Sequence, residues 1–193
     1  MTKLTHSYYQ QTDVVALARD LLGKMLYTKI DNKITAIITE TEAYRGYEDC
    51  ACHSHIKRCT PRTQVMFEDG HAYVYLCYGV HIMFNIVTNH TDHADAILIR
   101  AIHPIIMDLI QARIGSVWSD IYFINPGKVT KAMGITRSDY GIDLTDRIWL
   151  EDVVIVDHND VSIPRVIDYA DDALLPRRFQ LLNSPTTSAK LNI

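Results

Sequence analysis

Between residues 71 and 103 the chain carries "HAYVYLCYGVHIMFNIVT", two apolar and aromatic runs around Gly79, and then "ADAILIRAIH" after the polar stretch "NHTDHAD". Strand-like runs joined so closely pair as antiparallel neighbours. They predict a three-strand meander with a hairpin tip at Gly79, and the rest of the chain must pack around it. Two more runs, "KMLYTKI" and "KITAIITETEAY", meet at Asp31-Asn32 in a plausible hairpin turn, and "RIWLEDVVIVD" reads as another strand. Helices are predicted over residues 13–23, with Asp13 as cap, Val14, Leu17, Ala18 and Leu21 as the apolar face and Gly23 as the stop. Further helices are expected at "CTPRTQVMF", with Thr60 at the cap and Pro61 in the first turn, at "PIIMDLIQARI" and at "PGKVTKAMGI". The fold class is α+β with a mostly antiparallel sheet.

At 193 residues and 48% hydrophobic content the chain can bury one sizeable core, so a single domain spanning 1–193 is expected. The start "MTKLTHSYYQQTD" lacks the pattern of a secretory signal, and no apolar run reaches membrane-spanning length. A cytoplasmic protein without membrane partners is the expectation, and with it reduced cysteines. The formal charge of -4 is uneven: residues 1–142 balance 14 basic against 14 acidic groups, whereas residues 143–172 hold 2 against 9. Nothing in that balance announces a polyanionic partner, so nucleic-acid binding must rest on local patches.

One such patch is Lys57, Arg58 and Arg62, with no acid between residues 50 and 67. Lys128 and Lys131 follow Pro126-Gly127 at a predicted helix start, where backbone N–H groups also favour a phosphate. The same region holds Cys50, Cys52, His53, His55 and Cys59, but C-x-C and H-x-H are not zinc-knuckle spacings and no second knuckle follows. No metal is expected, and the cysteines read as small, partly buried side chains. In "ITETEAY" the strand ends in Glu40 and Glu42, which share a face by alternation, with Tyr44 beyond them. A carboxylate leaving a sheet into a partly apolar pocket suits a general base, and a solvated strand end is the plainer alternative. Arg100 interrupts "AILIRAI", and a guanidinium there must find a carboxylate or several acceptors. Tyr73 and Tyr75 share a strand face, whereas Tyr78 lies at the hairpin tip, where it could wedge between bases.

Taken in order, "LARDLLGKML", "TETEAYRG", "CHS", "TPR", "YVYL", "YG", "FNIVT", "ILIRAI", "NPGKVTKAMGI" and "IWLED" resemble the alkyladenine (3-methyladenine) DNA glycosylases over nearly the whole chain. The resemblance implies a single compact domain with a curved sheet, flanking helices and a protruding β-hairpin. It implies a monofunctional, cofactor-free, monomeric enzyme on double-stranded DNA, flipping out alkylated or deaminated purines and leaving an abasic site. It gives Glu42 the role of general base, Arg100 that of holding the water and the carboxylate, and Tyr44, His53 and Tyr75 the walls of an aromatic box. Asn85 would crowd the guanine amino group, Tyr78 would fill the gap in the duplex, and Arg58, Arg62, Lys128 and Lys131 would meet the backbone. In the bacterial case the enzyme would sit on the nucleoid. The family's "PRIGIDYAGE" is shortened here to "PRVIDYADDA" around Val166, and "NSPTTS" lacks the large aromatic often found in that element. Two other readings compete: a non-catalytic nucleic-acid-binding module on the same fold, and a protein stabilised by metal at the Cys/His cluster.

Overall fold

The computed structural model describes residues 2–30, 32–55, 59–90, 92–105, 125–152, 161–162 and 175–182. Its sheet is built from β1 (Thr2–Lys3), β2 (Met25–Ile30), β3 (Asn32–Tyr44), β4 (Ala72–Cys77), β5 (His81–Thr88), β6 (Asp95–Pro104), β7 (Ile148–Asp152), β8 (Val161–Ser162) and β9 (Arg178–Leu181). The order is β1-β7-β2-β3-β6-β5-β4, every pairing is antiparallel, and β9 joins β3 and β8. The expected meander is β4-β5-β6. The sheet is curved and the fold is α+β.

β3 is the organising strand. Its first half pairs with β2 from Met25↔Ile37 to Ile30↔Asn32, and further along the same edge Glu40, Thr41 and Glu42 pair with β9. Its other edge runs along β6, where the register slips between Ile38 and Glu40 and slips back between Glu40 and Thr41. Such irregularities re-aim side chains locally. This one sits at the two carboxylates flagged in the sequence and across from Arg100.

Helix α1 (His6–Tyr9) precedes α2 (Val14–Asp20), which follows the sequence closely. Asp13 Oδ1 accepts from the N–H groups of Val15 and Ala16, both at 3.1 Å, and Val14, Leu17, Ala18 and Leu21 are buried. Each fully buried Leu or Val side chain contributes roughly 1.5–3 kcal/mol. The Thr41 hydroxyl donates to the Ala18 carbonyl at 2.6 Å and ties α2 to β3. Helix α3 (Pro126–Met133) starts at Asn125, whose side chain accepts from Gly127 N–H, and ends at Gly134 in the left-handed conformation.

Three expectations need correction. "CTPRTQVMF" folds as a turn in which Thr60 and Thr63 bond to each other, and only Gln64–Phe67 forms a 3-10 helix, because the Thr60 side chain is spent closing the turn. Pro104 ends β6 rather than starting a helix; residues 106–114 of that predicted helix lie outside the described residues. Among the cysteines Cys52 is buried and bonded to Ser54, whereas Cys50 and Cys59 are exposed. Arg58, the segment around Val166 and "NSPTTS" also lie outside the described residues.

Candidate active site

The centre of the site is a cluster of four charges. Glu40 and Glu42 project from the same face of β3, as alternation requires, and both reach Arg100 from β6. Arg100 Nε donates to Glu40 Oε1 at 3.0 Å and its NH1 donates to Glu42 Oε2 at 2.5 Å. Arg178, from β9, adds its own Nε to the same Glu40 oxygen. Tyr44 Oη donates to the remaining Glu42 oxygen at 3.0 Å. Burial alone would lower the Arg100 pKa, but the Glu42 and then the Glu40 carboxylates outweigh it and keep the guanidinium charged. Burial, reinforced by Glu42, holds the Tyr44 phenol well above its ordinary range, so it stays a donor. Sequence reading paired Arg100 with a carboxylate in principle but missed Arg178, which lies 138 residues from its partner and carries no local signal.

Beside this cluster stands the aromatic group. His53 and Tyr75 meet edge to face with centroids 4.7 Å apart, Tyr73 and Tyr75 lie 5.1 Å apart, and His53 Nδ1 is 2.8 Å from Tyr73 Oη. Tyr73 is an unassigned member of the box, although strand alternation had already put it beside Tyr75. Asn85 is buried on β5 opposite Tyr73, donating to its carbonyl at 3.2 Å. Tyr44, His53, Tyr73, Tyr75 and Asn85 all line one small cavity of about 20 Å³. That volume takes about one water, so a purine enters only if the walls move apart.

The group at the mouth is Arg62. Its guanidinium lies 4.8 Å from the Tyr75 ring centre and 3.4 Å from His53 Nε2. Arg62 was expected at a DNA phosphate; without DNA it rests on the electron-rich rings that would attract any cation. Burial first, and Arg62 second, push the His53 pKa down to about 4, although one edge of the ring remains open to solvent. Because that value lies below the unfolded 6.5, the unfolded chain binds the extra proton first. His53 therefore contributes stability above pH 6.5 that is lost as pH falls through about 4. The imidazole resonance of His53 is expected to titrate near 4, and Arg62→Ala to raise that midpoint; a midpoint at the ordinary value in both proteins would contradict the geometry.

The hairpin between β4 and β5 carries Tyr78 at its tip, 87% exposed, with Val80 73% exposed beside it. Tyr78 has φ 48° and Gly79 φ 72°, and Val80 N–H closes the turn onto the Cys77 carbonyl. A tyrosine in the left-handed region, aimed at solvent, is costly for stability and points to function. The stem is braced by α3: Thr130 Oγ1 donates to the Ile82 carbonyl at 2.8 Å, and Gly127 packs on His81. A Cβ at Gly127 would lie 2.9 Å from His81 Cβ, so Gly127→Ala is expected to cost roughly 1–3 kcal/mol in thermal or chemical unfolding. An unchanged midpoint would mean that α3 does not brace the hairpin. Lys128 and Lys131 lie on this helix, with Lys131 exposed. Among the described residues no three His, Cys, Asp or Glu side chains gather as a metal site.

An aromatic cavity beside a buried carboxylate–arginine cluster, next to an exposed aromatic hairpin, has the parts for recognising and hydrolysing a nucleic-acid base. The family model described as methylpurine-DNA glycosylase (MPG) matches residues 7–185. The chain is 39% identical to a protein of Methanocella arvoryzae over 198 residues, covering 98% of each. It is 39% identical to one of Bacillus mycoides over 201 residues (94% of this chain, 97% of the relative), and 36% identical to one of Clostridium novyi over 188 (90% and 91%). Each carries the name "Putative 3-methyladenine DNA glycosylase". The protein is a DNA glycosylase, a hydrolase of DNA repair. It belongs to the methylpurine-DNA glycosylase family.

Proposed function

We propose that the enzyme draws an alkylated purine out of duplex DNA into the box of Tyr44, His53, Tyr73 and Tyr75, and hydrolyses its N-glycosidic bond with a water activated by Glu42. The observation that supports this best is the Glu42 carboxylate, fixed by Arg100 and Tyr44 at the edge of the aromatic cavity. N3- or N7-alkylation leaves positive charge on the purine, and a cation over an aromatic face gains roughly 0.5–2 kcal/mol. Arg62 leaves the box as the base enters, and with Arg58, Lys128 and Lys131 meets the backbone phosphates. Asn85 bounds the pocket against the guanine amino group, and Tyr78 occupies the space the nucleotide vacates.

In the chemical step the glycosidic electron pair departs with the purine and neutralises its charge while the sugar becomes oxocarbenium-like. Water adds to the anomeric carbon and its proton passes to Glu42. The groups paired with Glu42 are an arginine and a tyrosine, so an amine-linked intermediate and strand cleavage have no nucleophile among them. Hypoxanthine falls within the same scope as a slower substrate, because its leaving purine carries no positive charge. The enzyme acts as a monomer in the cytoplasm.

The test is product analysis on methylated duplex DNA. The expected products are free methylated purine and an abasic strand that breaks only on alkaline treatment, with binding that weakens steeply with salt. Strand cleavage at neutral pH would contradict the hydrolytic route. Binding to lesion duplexes without base release would favour a non-catalytic module.

A further inference from the structure

Glu40 is the more deeply buried of the two strand carboxylates, fully inaccessible against 4% for Glu42, yet the hydrolysis above leaves it without a task. It stands where the β3–β6 register slips, and the slip lets both carboxylates reach one guanidinium. One Glu40 oxygen accepts from Arg100 Nε and from Arg178 Nε. The NH1 edge of Arg100 is thereby left for Glu42.

Resting on the reading of Glu42 as the base, we propose that Glu40 and Arg178 form a positioning pair for Glu42 and Arg100. Glu40 fixes the Arg100 guanidinium in the orientation that presents NH1 to Glu42. Arg178 supplies the second positive charge that lets two carboxylates share one buried site, so two arginines balance two glutamates. Without Arg178 the carboxylates would repel each other across Arg100. Without Glu40 two buried guanidinium groups would compete for Glu42, tightening their hold on its proton-accepting oxygens.

Charge arithmetic gives this arrangement a signature that a merely structural pair lacks. The groups facing Glu42 are Glu40 and Tyr44 from β3, Arg100 from β6, Arg178 from β9 and Tyr75 from β4. Glu40→Gln keeps the shape and leaves the cluster one positive charge in excess, which favours the ionised base; Arg178→Gln leaves one negative charge in excess and disfavours it. The acid limb of the single-turnover rate profile is therefore expected to move down in pH in the first variant and up in the second. Each shift should be about one pH unit, the lower end for a nearby charge in a buried site. The double variant restores balance and should return the limb close to wild type. Maximal rates should fall about 10- to 100-fold in both single variants, of the order expected for a mispositioned acid–base group, while half-saturation on lesion DNA stays within about threefold, since neither residue meets DNA on the proposed reading.

Limbs that do not move in opposite directions, or a Glu40→Gln variant with the wild-type rate, would overturn the proposal. If one single variant fails to fold, the other and the balanced double variant still decide the direction. A readout free of activity accompanies them: the Arg100 Nε–H resonance is expected to exchange slowly with water in wild type and fast in Glu40→Gln, and equal exchange in both proteins would overturn the proposal on its own. Wild type that releases no base would sink the glycosylase mechanism instead, and the resonance would still report whether Glu40 holds Arg100.

Discussion

Replacing Glu42 by glutamine is expected to cut single-turnover base release by about 10²- to 10⁴-fold, the usual contribution of a positioned general base, while binding to lesion or abasic-site duplex changes little. Glutamine keeps the size of the side chain and can still accept from Arg100 NH1 and Tyr44, the two partners that fix Glu42. What it loses is the ability to take a proton from water and to oppose positive charge developing on the sugar. Measurement of base release and of DNA affinity on the same preparation separates the roles. Equal loss of both would mean that Glu42 holds the fold rather than the water.

Replacing Arg100 by methionine is expected to be damaging in a different way. Methionine fills much of the space, but Glu40 and Glu42, both essentially buried, would then share the site with Arg178. Removing one partner of a buried ion pair typically costs about 3–5 kcal/mol. A large fall in the unfolding midpoint is therefore expected together with loss of base release. The contrast is diagnostic: Glu42→Gln should lose chemistry with its stability nearly intact, and Arg100→Met should lose both. A fully stable Arg100→Met protein would mean that the carboxylates find other partners.

Much of this was readable from residue types alone, for physical reasons that differ by element. The meander was legible because short connections allow few pairings, and α2 because its cap and apolar face are both local. The Glu42–Arg100 contact was half legible: an arginine inside "AILIRAI" demands an acid, and two acids one residue apart on a strand face one way. Arg178 was not legible, because β9 reaches β3 from 138 residues away and "PRRF" gives no hint of a partner. Nor was the turn at Thr60, where two threonines satisfy each other in place of capping a helix. The resting place of Arg62 was hidden for another reason: charge and exposure suggested a phosphate, whereas the DNA-free protein offers it Tyr75 and His53 instead.

The most direct test of the central claim is single-turnover release of purine from a duplex carrying one N3- or N7-alkylated purine, run beside an identical duplex carrying hypoxanthine. The account predicts release of the alkylated purine by the wild-type enzyme, faster than release of hypoxanthine, with an abasic site left in an uncut strand. A folded protein that binds the lesion duplex and releases neither base would contradict it.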